Sequence, residues 1–217
     1  MRVRNEHGFS FAEMMVVVAI ASFMMAGLFT IFITGQSTWF TADASMDSRD
    51  NIRVASEKIA RELHESGFDS AGTYQVTILD GAGANATDIL RFSIPVLCQS
   101  NTSILDASGN VAYWGAPLTW GCTTSSCMDA DNTCGTVEYK YIQYEVNSSN
   151  QLVRKALSPA LAVVRQDTIA LYITNFQVTK SADQNVVTLQ LTAQKQSGMH
   201  RTVSLTKSLD VYLRNRG

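Results

Sequence analysis

Residues 7–35 read "HGFSFAEMMVVVAIASFMMAGLFTIFITG". From Phe9 to Ile33 this stretch holds 25 residues and one charge, Glu13. As a helix rising 1.5 Å per residue it is about 37 Å long, enough to cross a bilayer core of about 30 Å. Arg2 and Arg4 precede it. Positive residues favour the cytoplasmic side, so the N-terminus is expected inside and the C-terminal bulk outside. Two features do not suit a plain anchor. The leader is only "MRVRNEHG", and an acid stands near the start of the span. An ionised acid costs roughly 2.5–3.5 kcal/mol at the centre of a span and less near its end.

A secretory signal cut after Ala19-Ile20-Ala21 is the ordinary alternative. It is disfavoured because the apolar run continues through Ile33 and Glu13 abuts the apolar core. A cut between Gly8 and Phe9 accounts for both features. Phe9 becomes the N-terminus and Glu13 the fifth residue of the mature chain. The acid then lies in the first turns of a helix, where the dipole favours negative charge. It is placed to pair with the α-amine of its own chain or of a neighbour.

The segment "GFSFAE" (8–13), followed by an apolar run and preceded by a short basic leader, resembles the class III signal of type IV pilins and type II secretion pseudopilins. Gly8, Phe9 and Glu13 match that pattern residue for residue. The resemblance implies that a prepilin peptidase cuts after Gly8 and methylates Phe9. It also implies that Glu13 docks the subunit in a filament by meeting the Phe9 amine of its neighbour. Many major pilins carry proline at the twenty-second mature position, which here is Thr30; this points to a minor subunit. The segment "ARELHESGF" (60–68) is similar to the corresponding helix end of PilW-like and GspJ-like minor subunits, and "LDVYLRNR" (209–216) resembles the closing strand of PilW-like subunits. At the first of these, Ser66 stands where such subunits often have alanine.

The helix is expected to outlast the membrane. Ile52, Ala55, Ile59 and Leu63 fall on one apolar stripe at helical period. Arg53, Glu57, Lys58, Arg61 and Glu62 flank the stripe as a solvated face, and Gly67 is the expected stop. Beyond it the period becomes two. Strands are predicted over 73–79, 88–94, 137–146, 151–157 and 167–180. Val187, Leu189, Leu191 and Ala193 alternate with polar residues, as do Val203, Leu205, Leu209, Val211 and Leu213, with Lys207 the exception. That pattern predicts a closing antiparallel hairpin with one buried face. The expected class is α+β, a pilin-type fold with a long helix on a mainly antiparallel head. The expected divisions are a leader (1–8), a membrane or filament-core helix (9–35), an amphipathic continuation (36–67) and a β-rich head (68–217).

Cys98, Cys122, Cys127 and Cys134 all lie in a polar region over about 95–136. An even count outside the membrane suits disulfides, with three pairings open. Zinc is disfavoured, since no CxxC occurs and His7, His64 and His200 are distant in sequence. Asp129, Asp131 and Asn132 form a fragment of an oxygen-ligand calcium loop, but Lys140 stands where the closing glutamate belongs. A solvated loop is favoured there over calcium. Tyr113, Trp114 and Trp120 are read as packing under the loop, with a contact surface for a partner subunit or glycan as the alternative.

No nucleophile elbow, zinc-protease motif or P-loop is present, and His64 is read as a helix-surface residue, so no catalytic residue and no cofactor are assigned. The formal net charge is −2, which argues against a nucleic-acid-binding body. The resemblance implies a minor subunit that primes or tips a type IV pilus or related filament. Its partners would be prepilin peptidase, other pilin or minor pilin subunits and the inner-membrane assembly platform. Its location would be the bacterial inner membrane, with the C-terminus periplasmic, and then the filament. A type II secretion pseudopilin and a major pilin are the near alternatives. An uncleaved membrane-anchored envelope enzyme or receptor is the alternative of another class.

Overall fold

Helix-forming residues run without proline from residue 10 to the sixties, and the computed structural model places one helix there, α1 (Phe11–His64), 54 residues long. The structure describes residues 10–67, 74–79, 87–95, 114–115, 141–198 and 201–214. The helix ends slightly before the expected glycine stop. Glu65 is the C-cap, its amide donating to Glu62 O at 3.3 Å, and the Ser66 amide donates to Leu63 O at 2.9 Å. Gly67 follows at φ 156°, a conformation that side chains resist.

The helix has two regimes. Residues 11–36 are exposed throughout. From Ala44 onward one face is buried, and Ile52, Ala55, Ile59 and Leu63 are at most 1% exposed. The predicted stripe is therefore the face that the head covers.

Ten strands lie within the described residues. β1 (Val76–Leu79), β2 (Ile89–Phe92), β5 (Tyr141–Val146), β6 (Leu152–Leu157) and β7 (Val163–Ala170) form a five-stranded antiparallel sheet in that order. β3 (Ile94–Pro95) and β4 (Trp114–Gly115) make a small separate pair. β8 (Ile173–Lys180), β9 (Val186–Gln196) and β10 (Thr202–Tyr212) form a three-stranded sheet with β9 central. Helix α1 packs chiefly on β9 and β10 and touches β7. The fold is α+β, one long helix against antiparallel sheets.

Local chemistry explains the turns. Between β5 and β6, Asn147 Oδ1 accepts the amides of Ser149 and Gln151 at 3.0 Å each. Asn150 takes the left-handed conformation at φ 56°, which asparagine tolerates well. The closing hairpin runs in continuous register from Thr202↔Gln196 to Tyr212↔Val186. Val187, Leu189, Leu191 and Ala193 are at most 1% exposed on its inner face. Lys207, the exception to the alternation, shares that face and donates from Nζ to Ser56 Oγ of α1 at 2.9 Å.

Two sequence expectations are corrected. The strand predicted over 167–180 is two strands in different sheets, β7 and β8. Tyr172 between them has φ 63°. The Leu171 amide is captured by Asn51 Oδ1 of the helix at 2.7 Å, and the Tyr172 carbonyl accepts the Gln194 amide at 2.7 Å. The chain thus turns from one sheet to the other at a helix contact. Asp88 links the same two sheets from the other side. Its amide donates to Phe176 O, and its Oδ2 accepts the Val178 amide, each at 2.7 Å.

The second correction concerns Glu62, expected on the solvated face and found 2% exposed. Arg154 Nε donates to its Oε1 at 3.0 Å and Oε2 at 2.9 Å, and the Tyr144 hydroxyl donates to Oε2 at 2.8 Å. Tyr144 and Arg154 are direct register partners across β5 and β6, and Phe92 stacks on Tyr144 with centroids 6.2 Å apart. Burial opposes the Arg154 charge, but the Glu62 carboxylate outweighs it and holds the guanidinium above its ordinary value. Burial first, then the Glu62 charge, holds the Tyr144 hydroxyl well above the usual phenol range. A helix acid thus fixes the helix to the far sheet.

Candidate membrane and docking helix

Ser10 is the N-cap of α1, extended at φ −73° and ψ 151°. Its side chain and that of Glu13 complete a capping box. The Ser10 amide donates to Glu13 Oε2 at 2.8 Å, and the Glu13 amide donates to Ser10 Oγ at 3.3 Å. Two amide donors that a helix start leaves unpaired are thereby satisfied, and the acid sits where the helix dipole favours it. Sequence reasoning did not use Ser10. Its signal was legible as Ser-x-x-Glu ahead of an apolar run. Gly8 and Phe9 lie outside the described residues.

The next stretch has the surface of a membrane span. Phe23 is 85% exposed and Met25 72%; no core among the described residues covers either. The helix is long and apolar enough to cross a bilayer. A span must satisfy its polar groups internally, and this one does so for its hydroxyls. Ser22 Oγ donates to Val18 O at 2.7 Å, Thr30 Oγ1 to Ala26 O at 2.9 Å and Thr34 Oγ1 to Thr30 O at 2.9 Å. Among the described residues, a Cβ on Gly27 or Gly35 would meet nothing within 4 Å, so no contact there requires either glycine.

The head meets the helix at Phe40, whose ring lies over Gly198 in the β9–β10 turn; a Cβ there would come within 3.1 Å of the ring. One and two helical turns on stand Asp43 and Asp47; Lys195 Nζ bonds Asp47 and lies 3.6 Å from Asp43. It also stands 5.4 Å above the Tyr172 ring. The hydrogen bond to Asp47 raises the Lys195 amine above its ordinary value. At the other end, His64 Nδ1 lies 2.5 Å from Tyr212 O, and the Arg214 amide donates to His64 O at 2.8 Å. His64 is exposed and ties the helix end to the last strand.

Among the described residues no group of three His, Cys, Asp or Glu side chains could hold a metal ion. The four cysteines, the calcium-loop fragment Asp129, Asp131 and Asn132, and the aromatic residues Tyr113 and Trp120 lie outside the described residues. The arrangement offers a capped acid at one end of a bare apolar helix and a folded head at the other.

Residues 3–29 match the prokaryotic N-terminal methylation motif. The match takes in Arg4 of the leader, Gly8, Phe9, the capping box and most of the apolar run. No curated protein and no solved structure matched the chain. The methylation motif is a prepilin-type signal, and it implies processing by prepilin peptidase and assembly with other pilins. With the exposed apolar helix, it fits membrane anchoring.

Proposed function

We propose that this chain is a minor type IV pilin-like subunit of the PilW/GspJ kind, not an enzyme and without a cofactor. Prepilin peptidase cuts after Gly8 and methylates Phe9. The helix holds the subunit in the bacterial inner membrane, with its N-terminus cytoplasmic and its head periplasmic. On assembly the same helix moves into the filament core, where Glu13 neutralises the Phe9 amine of an adjacent subunit. In a low-dielectric core this removes two lone charges and fixes axial register. The head faces outward and meets other minor subunits, priming or tipping the filament.

The observation that carries this reading is the methylation motif at residues 3–29, set on a helix whose residues 11–36 are all exposed. Thr30 at the position where major pilins often carry proline supports the minor role. The test is intact-mass analysis of the protein from its native membrane. A chain starting at methylated Phe9 is expected. A chain retaining Met1 would replace this reading with an uncleaved anchor. Low abundance in sheared filaments, with loss of filaments on deletion, is expected of a minor subunit; a dominant filament protein would be a major pilin instead.

A further inference from the structure

The run between Glu13 and Asp43 carries no Asp, Glu, Lys, Arg or His over 29 residues. As helix it measures about 44 Å, against a hydrocarbon core of about 30 Å and a full bilayer of about 40–45 Å. With Glu13 at the inner boundary and Ile33 closing the apolar run, the next nine residues fall in the outer headgroup layer. They read "TGQSTWFTA", residues 34–42. The aromatic pair is Trp39 and Phe40. Phe40 sets its ring against Gly198 in the β9–β10 turn and stays 39% exposed. Trp39 is 73% exposed. It lines an open hollow along the helix with Ile31, Thr34, Gly35, Thr38 and Ala42. A bare indole in water wastes a large apolar surface, whereas at the headgroup level its ring is buried and its N–H can find a partner.

The head constrains the geometry further. The Phe40–Gly198 contact lies one residue past Trp39, and the Lys195–Asp43–Asp47 cluster follows it. No stretch of bare helix separates the head from the predicted membrane surface. The surface of Trp39 is continuous with the membrane-spanning face, so a lipid layer is its fitting occupant.

We propose that Trp39 anchors the unassembled subunit in the outer headgroup layer, seating the head with its β9–β10 turn directly on the bilayer surface. This rests on the membrane-anchored reading of α1. The test uses the full-length chain in phosphatidylcholine–phosphatidylglycerol vesicles, with Trp114→Phe and Trp120→Phe leaving Trp39 as the sole indole. Lipids spin-labelled near the headgroup should quench Trp39 about twofold more than lipids labelled near the chain end, because an interfacial ring sits at headgroup depth. Aqueous acrylamide should quench it little. The native chain carrying only Trp39→Phe should lose that shallow quenching, which covers any folding defect in the double variant. Flotation with the vesicles after alkaline carbonate reports anchoring separately. A chain that fails to float overturns the membrane reading itself. A floating chain whose Trp39 is quenched by acrylamide alone, or most by the deep label, overturns the interfacial anchor only. Protection from every quencher would place Trp39 in a helix–helix contact and equally overturn it.

Discussion

In the capping box the Glu13 carboxylate accepts the Ser10 amide, and in the proposed filament it also faces a neighbour's amine. Glutamine preserves the first interaction and removes the charge, while alanine removes both. Glu13→Gln and Glu13→Ala are therefore both expected to be processed normally and to fail in filament incorporation, measured as processed protein in sheared filaments. Normal incorporation of Glu13→Gln would show that the charge is not what docks the subunit. Glu62 poses a different problem, because its charge is buried and paired. Arg154→Met leaves that carboxylate the Tyr144 hydroxyl and Lys58 Nζ at 3.8 Å but removes its buried counter-charge; it is expected to cost about 3–5 kcal/mol in denaturant unfolding, whereas pairing it with Glu62→Leu should recover much of the loss. Tyr144 adds a pH signature. Its folded-state value lies above the unfolded one, so its contribution is fully present below about pH 10 and lost as pH rises beyond it. Tyr144→Phe should shallow the fall of the melting temperature above pH 10; an unchanged alkaline profile would count against the buried hydroxyl.

At the scale of elements, the amphipathic half of α1 divides sharply into a buried stripe and an outer face. Ile59→Ala is expected to destabilise the head by about 2–5 kcal/mol through lost burial and a residual cavity. Arg53→Ala should stay within about 0.5 kcal/mol, since its pairing with Asp50 at 3.6 Å is exposed on both sides. Equal effects in chemical denaturation would mean that the helix does not pack by this face. The stripe and the closing hairpin were legible in the sequence because burial there follows the helix and strand periods. The turn at 171–172 was not. Both flanking segments read as strand, and the turn is set by Asn51, a residue 120 positions away.

For the whole molecule, the described head buries none of residues 11–36, while Ala44 and Ser48 are fully covered. Removing residues 1–35 should therefore give a soluble head that melts cooperatively. Removing residues 1–51 strips Phe40, Asp43, Ala44, Asp47, Ser48 and Asn51, and should lower the melting temperature or abolish the transition. Equal melting of the two truncations would show that the neck contacts contribute nothing to the head.

The prepilin-type signal, the apolar span, the register of the helix stripe and the alternating face of the last hairpin can all be read along the chain. Each is written in neighbouring residues, at fixed spacing, and depends on nothing further away. That Glu62 is a core residue, that one apparent strand serves two sheets, and that Lys207 reaches the helix emerges only once the chain is folded. These outcomes depend on partners far apart in the chain, 82 and 92 residues away for Glu62. A helical wheel ranks an acid as solvent-facing because burying its charge is costly. Arginine and tyrosine side chains delivered by β5 and β6 offset that cost, and no local pattern around residue 62 encodes their arrival.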